Sequence, residues 1–196
     1  AVLLMGGLAG CTKTESSEAL VAEAKQFIQK GDTKAAVIQL KNALLKNPSD
    51  VEARLTLGAL YNDTGDPVSA EKEFRKAAEL GAGPDKTVSG LATALLAQGQ
   101  FQKVLDETAA TSAGKADLLA LQGDAHLGLG KGDPAKEAYE QALQVNPKSS
   151  AALIGLARHA VMQQDLEGAN RLAEQAATEH DIGRNRSQSG KLHLAA

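Results

Sequence analysis

The sequence contains few aromatic residues and few runs of β-branched ones. Aromatic side chains make up 3% of the chain and tryptophan is absent, whereas alanine and leucine supply most of the hydrophobic 43%. Strands are enriched in β-branched and aromatic side chains, and alanine and leucine are strong helix formers. This composition argues against a β-rich fold and predicts an all-α protein with close contacts between helices.

An excess of positive charge is also lacking. The 196 residues include 21 Lys and Arg against 24 Asp and Glu, which gives a formal net charge of −3. Binding to a phosphate backbone depends on clustered positive charge. We therefore expect no nucleic-acid partner, and charge does not favour the membrane surface either.

The chain has a single cysteine, Cys11, so an internal disulfide is excluded. The apolar stretch before it, AVLLMGGLAG, is shorter than the about 20 residues that a membrane-spanning helix needs. We expect residues 1–10 to be the remnant of a signal-peptide hydrophobic region. An ordinary apolar N-terminal helix with a chance cysteine is the alternative.

Leu8-Ala9-Gly10-Cys11 resembles the lipobox of bacterial lipoproteins, and a polar segment follows it. The resemblance implies cleavage before Cys11, lipidation of that residue and a lipidated tether over residues 11–16. Several acyl chains together form a stable membrane anchor. Thr12 resembles the residue found there in lipoproteins sent to the outer membrane. The expected location is the cell envelope, lipid-anchored and facing the periplasm, at the outer membrane.

A period of 34 residues, with one step of 31, runs through the rest of the chain. It aligns small residues early in the second helix of each predicted unit: Ala36, Ala70, Val104, Ala135 and Ala169. Turn sequences fall between the paired helices at Gly31-Asp32, Gly65-Asp66-Pro67, Gly99-Gln100 and Gly132-Asp133-Pro134, and only Gln164-Asp165 lacks the glycine. This pattern resembles the tetratricopeptide repeat.

The frame predicts an α-solenoid of about five tetratricopeptide helical hairpins over residues 17–180. The hairpins are expected at about 17–50, 51–84, 85–115, 116–149 and 150–180. The third is the least regular, because Thr108 and Thr111 occupy apolar positions and Ala113-Gly114 shortens its second helix. Residues 181–196 lack apolar periodicity, so we expect an irregular or disordered tail.

Residues that carry chemistry are not grouped in the sequence. The four histidines lack metal-ligand spacing, the glycines around residue 130 lack the order of a phosphate-binding loop, and no nucleophile motif occurs. His126 is expected to be a packing residue and the other histidines to be surface residues. The sequence thus predicts no catalytic residue, metal or cofactor; an enzyme with a hidden site is the contrasting alternative.

Repeat arrays of this kind usually bind partners on the concave face formed by their first helices. Among the positions of those helices that are expected to face the concave side, the candidate partner-binding residues are Lys25, Asn62, Asp124 and Arg158. The alternative is a solvated polar face. The lysine, asparagine and arginine set with which chaperone-binding tetratricopeptide domains hold a terminal carboxylate is not reproduced.

Three segments, QKGDTKAAVIQLKNAL, GDPVSAEKE and LLAQGQFQKVL, look like more than generic repeats. Together with the lipobox they resemble the tetratricopeptide lipoproteins of the exosortase (PEP-CTERM) system, over residues of about 11 to 180. The resemblance implies a scaffold in exopolysaccharide export or protein sorting, with other proteins of that envelope assembly as partners. An assembly lipoprotein of the outer membrane or of a pilus system is the alternative.

Overall fold

The computed structural model describes the backbone of residues 16–193 and the side chains of residues 16–179. Within this part of the chain there are ten helices and no strand, which confirms the all-α prediction. The helices are α1 (Ser17–Gln29), α2 (Thr33–Lys46), α3 (Val51–Asp63), α4 (Pro67–Glu79), α5 (Pro84–Ala97), α6 (Phe101–Thr108), α7 (Ala116–Gly128), α8 (Gly132–Val145), α9 (Ser150–Met162) and α10 (Leu166–His193).

The ten helices pair as five antiparallel hairpins that stack in chain order. Each second helix packs on the first helix of its own hairpin and on that of the next one. The backbones of consecutive first helices also approach one another closely, whereas those of consecutive second helices in the described residues do not. The first helices α1, α3, α5, α7 and α9 therefore form the inner, concave layer of an α-solenoid, and the second helices form the outer layer.

Side chains at the helix starts satisfy the backbone N–H groups that have no partner within a helix. Asp32 caps α2 by accepting a 3.0 Å hydrogen bond from the N–H of Ala35, and Asp50 caps α3 at 2.9 Å through the N–H of Ala53. Ser16, Asp66 and Ser149 cap three further helices in the same way. Asp165 caps α10 as well, by accepting a 2.8 Å hydrogen bond from the N–H of Gly168. These caps fix the starts of six of the ten helices.

The turn between paired helices uses a left-handed residue in every hairpin. Its φ is positive at Gly31, Gly65, Gly99, Gly130 and Gln164. Glycine adopts this conformation without steric cost, so Gln164, with φ of +63°, is the strained member of the series. The prediction that Gly132 makes the fourth turn is wrong: Gly132 begins α8, and Pro134 fits the first turn of that helix because no N–H is needed there.

Two aromatic rings from second helices lie between glycines of neighbouring first helices. Phe74 of α4 lies against Gly58 and Gly90, where a built Cβ would approach its ring atoms to 3.1 Å and 2.1 Å respectively. Tyr139 of α8 lies against Gly123 and Gly155 at 2.4 Å and 2.2 Å. Each ring thus joins its own hairpin to the next, and glycine provides the space.

The third hairpin is shorter than the others because α6 contains only 8 residues. Its buried Thr108 donates a 2.7 Å hydrogen bond to the carbonyl of Val104 and accepts a 2.9 Å bond from Gln122. Gln122 also donates to Ser112 at 3.2 Å. These bonds satisfy Thr108, whereas the buried hydroxyl of Thr111 has no hydrogen-bond partner among the described residues.

The C-terminal segment differs from the expected irregular tail. α10 continues without a break to His193, so residues 181–193 are helical, whereas 194–196 lie outside the described residues. No proline occurs in α10, and the Asn-Pro pairs that follow α2 and α8 have no counterpart. Extending an existing helix carries no nucleation cost, so the missing apolar pattern was a poor guide to backbone structure.

The predicted signal remnant, the tether over 11–16 and the lipidated Cys11 fall outside the described residues, apart from Ser16. None of the helices in the described part combines the length and hydrophobicity that crossing a bilayer requires.

Candidate protein-binding groove

The four residues predicted for partner binding all lie on inner helices. Lys25 is on α1, Asn62 on α3, Asp124 on α7 and Arg158 on α9. We call the surface that these helices line the concave groove. The structure brings two of the four together, Asp124 and Arg158, and places each of the other two against a neighbouring hairpin.

Asp124 is the centre of a small polar cluster in the concave groove. Arg158 of α9 forms an ion pair with its carboxylate, and the hydroxyl of Tyr139 donates a 2.6 Å hydrogen bond to the same oxygen, Oδ1. Burial, and then the bond to Asp124, raises the pKa of Tyr139. The phenol therefore remains a hydrogen-bond donor, and the Asp124 charge is compensated from two sides.

Lys25 and Asn62 join consecutive hairpins in a comparable way. Lys25 forms an ion pair with Glu52 of α3, and the side-chain amide of Asn62 donates a 2.9 Å hydrogen bond to the carbonyl of Gly90 in α5. Ser89 donates to Asp117 at 3.2 Å. The polar residues of the concave groove thus form a ladder between inner helices, which helps to set the curvature of the array.

The exposed apolar surface of the concave groove is concentrated on α9. Ile154, Arg158 and Val161 follow one another at helical spacings of four and three, so they share one face. Arg158 contacts α7, which places this face on the inner layer. Ile154 is 48% exposed and Val161 is 53% exposed, so both can be covered by a partner.

Two residues of this region were not anticipated. The hydrogen bond of Tyr139 depends on Asp124 lying one helix away, which no local pattern indicates. His159 was expected on the surface, but it is 9% exposed, in the layer between α8 and α9. It lies four residues after the buried Gly155 and seven after the buried Ala152, so the helical period could have indicated its burial.

The half-buried His126 lies in the predicted packing position. Burial, and then the nearby charge of Lys131, lowers its pKa. Among the described residues no group of three or more His, Cys, Asp or Glu is placed to hold a metal ion.

The architecture defines a class of protein, the helical-repeat solenoids whose inner face holds other proteins. A family model described as "Tetratricopeptide repeat" matches residues 21–86 and 120–186. The chain belongs to the tetratricopeptide repeat family. The unmatched residues in between include the short helix α6.

Relatives from several bacteria share the fold. The type IV pilus assembly protein PilF of Pseudomonas aeruginosa is 22% identical over 173 residues, covering 79% of this chain and 69% of that protein. A solved structure of P. aeruginosa PilF has a TM-score of 0.64 at 18% identity, covering 91% and 89% of the two chains. MamA from Desulfovibrio magneticus RS-1 has a TM-score of 0.66 at 20% identity, covering 86% and 96%.

Proposed function

We propose that this protein is a membrane-tethered scaffold that holds a segment of a partner protein in its concave groove during assembly of a cell-envelope structure. Membership of the tetratricopeptide repeat family supports the scaffold role. The proposal treats the protein as a binding protein and assigns it no reaction.

The observation that carries the proposal is the exposed face of Ile154, Arg158 and Val161 on α9. Most polar groups of the concave groove are already bonded between hairpins, whereas these two apolar side chains are about half exposed. A partner segment would gain affinity by burying them, at about 25 cal/mol for each Å² of apolar surface removed from water. The Arg158 side chain, itself half exposed, would orient the segment by donating to its backbone or side-chain oxygens.

Site-specific photocrosslinking in the native cell tests the concave groove. A photoreactive amino acid replaces Ile154, and a matched control replaces Val145, an exposed side chain on the outer helix α8. We expect a discrete crosslinked partner from position 154 only. The Val161→Asp substitution should abolish that product. Equal products from both positions, or none from position 154, would contradict binding in this groove.

Pilus assembly is the favoured setting, since the similarity to PilF extends over most of both chains. The lipobox-like sequence at Cys11 supports attachment to the envelope, with the hairpins facing the periplasm at the outer membrane. In this setting the partners are other envelope proteins. A deletion strain should then lose surface pili, and a plasmid-borne copy should restore them.

Exosortase-linked polysaccharide export or protein sorting is the second candidate. It is supported by the resemblance of the segments near residues 29–44, 65–73 and 95–105 to the lipoproteins of that system. This candidate predicts normal pili in the deletion strain, together with reduced extracellular polysaccharide or retained sorting cargo. Measuring pili and polysaccharide in the same strain separates the two settings.

A further inference from the structure

The outer layer contains a groove between α2 and α4. Because these second helices do not contact each other, the first helix beneath them is reached through the gap. The cavity has a volume of about 490 Å³, and Leu57 and Tyr61 of α3 form its floor. Leu44 and Leu45 line the wall on α2. We call this cavity the α2–α4 groove.

Each wall of the α2–α4 groove carries a lysine. Lys41 comes from α2 and Lys72 from α4, and neither takes part in an ion pair within the described residues. Lys41 lies with its Nζ 6.0 Å from the ring centroid of Tyr61. Two like charges on opposite walls repel each other unless an anion lies between them.

The acidic groups near the α2–α4 groove are engaged elsewhere. Glu73 lines the cavity, but it is buried and accepts a 2.7 Å bond from Arg54. Asp66 lies near Lys41, and its carboxylate caps α4 by accepting from the N–H of Ser69. Among the residues that line the cavity, the charge left without a partner is that of the two lysines.

The next gap in the outer layer, a cavity of about 400 Å³, is bridged by an ion pair within this chain. There Arg75 of α4 donates a 2.9 Å hydrogen bond to Glu107 of α6, so opposite charges join the two walls. The α2–α4 groove has the same architecture but presents lysine on both sides. It thus lacks a carboxylate of the kind that Glu107 supplies in the gap between α4 and α6.

The two helices that form the groove carry exposed apolar side chains. Leu45 is 81% exposed, Ile38 is 58% exposed and Val68, at the start of α4, is 66% exposed. On α2, Ile38, Lys41 and Leu45 share one face, and the helix contains three lysines and no acidic residue. Exposed apolar side chains clustered with one sign of charge mark an interaction surface.

We propose that the α2–α4 groove binds an acidic segment of a partner protein that inserts a large apolar side chain between the two helices. Its carboxylates pair with Lys41 and Lys72, and its apolar side chain covers Leu44 and Tyr61. A cavity of this size is in the range of ligand-binding clefts. A flat membrane surface would leave the partly exposed Tyr61 at the bottom of the gap uncovered. This site lies on the outer layer and does not depend on the concave groove.

Fluorescence anisotropy with a synthetic peptide tests the proposal on the full chain. The probe is a labelled peptide that alternates glutamate with leucine and phenylalanine, compared with a version in which glutamine replaces every glutamate. We expect saturable binding of the acidic peptide, and binding of the glutamine peptide that is about tenfold weaker. The Lys41→Glu/Lys72→Glu variant should lose a similar factor for the acidic peptide.

The matched control is Lys86→Glu/Lys103→Glu, which reverses two exposed lysines of the third hairpin and keeps the net charge of the test variant. It should bind the acidic peptide like the unaltered chain. Circular dichroism confirms that each variant is folded. Equal affinity in the test and control variants would overturn the proposal, and so would the absence of saturable peptide binding. Lysine-dependent binding to phosphatidylglycerol vesicles without peptide binding would assign the groove to the membrane instead.

Discussion

The hydroxyl of Tyr139 donates a hydrogen bond to Asp124, and the two residues belong to the two helices of one hairpin. The same carboxylate pairs with Arg158 of the following hairpin. One aspartate thus connects three helices, α7, α8 and α9. The strength of the bond to Tyr139 can be measured separately from the packing of the ring.

Replacing Tyr139 by phenylalanine should lower the free energy of unfolding by about 1 kcal/mol, because one buried hydrogen bond is lost while the ring remains. The matched control is Tyr61→Phe, since the Tyr61 hydroxyl makes no hydrogen bond among the described residues. Urea denaturation followed by circular dichroism measures both. Equal losses in the two variants would show that the bond to Asp124 contributes nothing.

The same phenol should make stability depend on alkaline pH. The pKa of Tyr139 is raised in the folded state, first by burial and then by Asp124, whereas an unfolded tyrosine ionises near pH 10. Above about pH 10 the unfolded chain loses this proton and the folded chain keeps it, so stability falls as pH rises, by up to about 1.4 kcal/mol for each pH unit. The test measures the difference in free energy of unfolding between the unaltered chain and Tyr139→Phe, once at about pH 9 and once at about pH 11. A difference that does not change with pH would refute the shift.

Gly155 should not tolerate a methyl group. A Cβ built there lies 2.2 Å from Cε1 of Tyr139, so Gly155→Ala should lower the free energy of unfolding by about 2 kcal/mol, despite the better helix propensity of alanine. Gly132→Ala is the control, since its Cβ would meet His159 at an ordinary 3.5 Å. In a Tyr139→Leu background the Gly155→Ala cost should shrink, which a double-mutant cycle would reveal. An unchanged cost would place the clash elsewhere.

Replacing Gln164 by glycine should stabilise the protein. This residue has a φ of +63°, and relieving the strain is worth about 1 kcal/mol, partly offset by the greater freedom of glycine in the unfolded chain. Gly65→Ala, at a φ of +77°, is the reverse test and should destabilise. Thermal unfolding of both variants measures the effect. A lower melting temperature for Gln164→Gly would contradict it.

Cys11 should determine attachment to the membrane. We expect the Cys11→Ser protein to incorporate no labelled palmitate and to leave the membrane fraction, because acyl chains provide the anchor in this proposal. Thr12→Ser, which keeps the cysteine, is the control. Membrane retention of the Cys11→Ser protein without label would show that something else holds it there.

The fold could be predicted from the sequence because the repeat places the same demands on every hairpin. Small residues such as Ala36 and Ala70 must lie at close helix crossings, and Gly31 and Gly65 must adopt positive φ. Each demand restricts the residue type locally, so it is visible without the structure. Gly132 misled the prediction, because the true left-handed residue, Gly130, stands only two positions earlier.

The groove was less predictable than the fold, since its contacts join residues of different hairpins. Arg158 meets Asp124 at a separation of 34 residues, and Lys25 meets Glu52 at a separation of 27. Which pairs meet depends on the rotation from one hairpin to the next, and no local pattern specifies that rotation. The α2–α4 groove was missed for a related reason: it is a gap, and its walls are recognised only once the spacing of second helices is known.

The difference between the two layers has a mechanical consequence. The inner helices contact one another and are joined by polar bonds, whereas the outer helices are separated, so the inner layer resists a change of length more than the outer one. Bending of the array is then accommodated mainly by opening or closing the outer gaps. The Arg75–Glu107 ion pair spans one of these gaps, and the α2–α4 groove is another. A ligand bound in that groove would keep the gap from opening or closing and would therefore reduce bending between the first two hairpins.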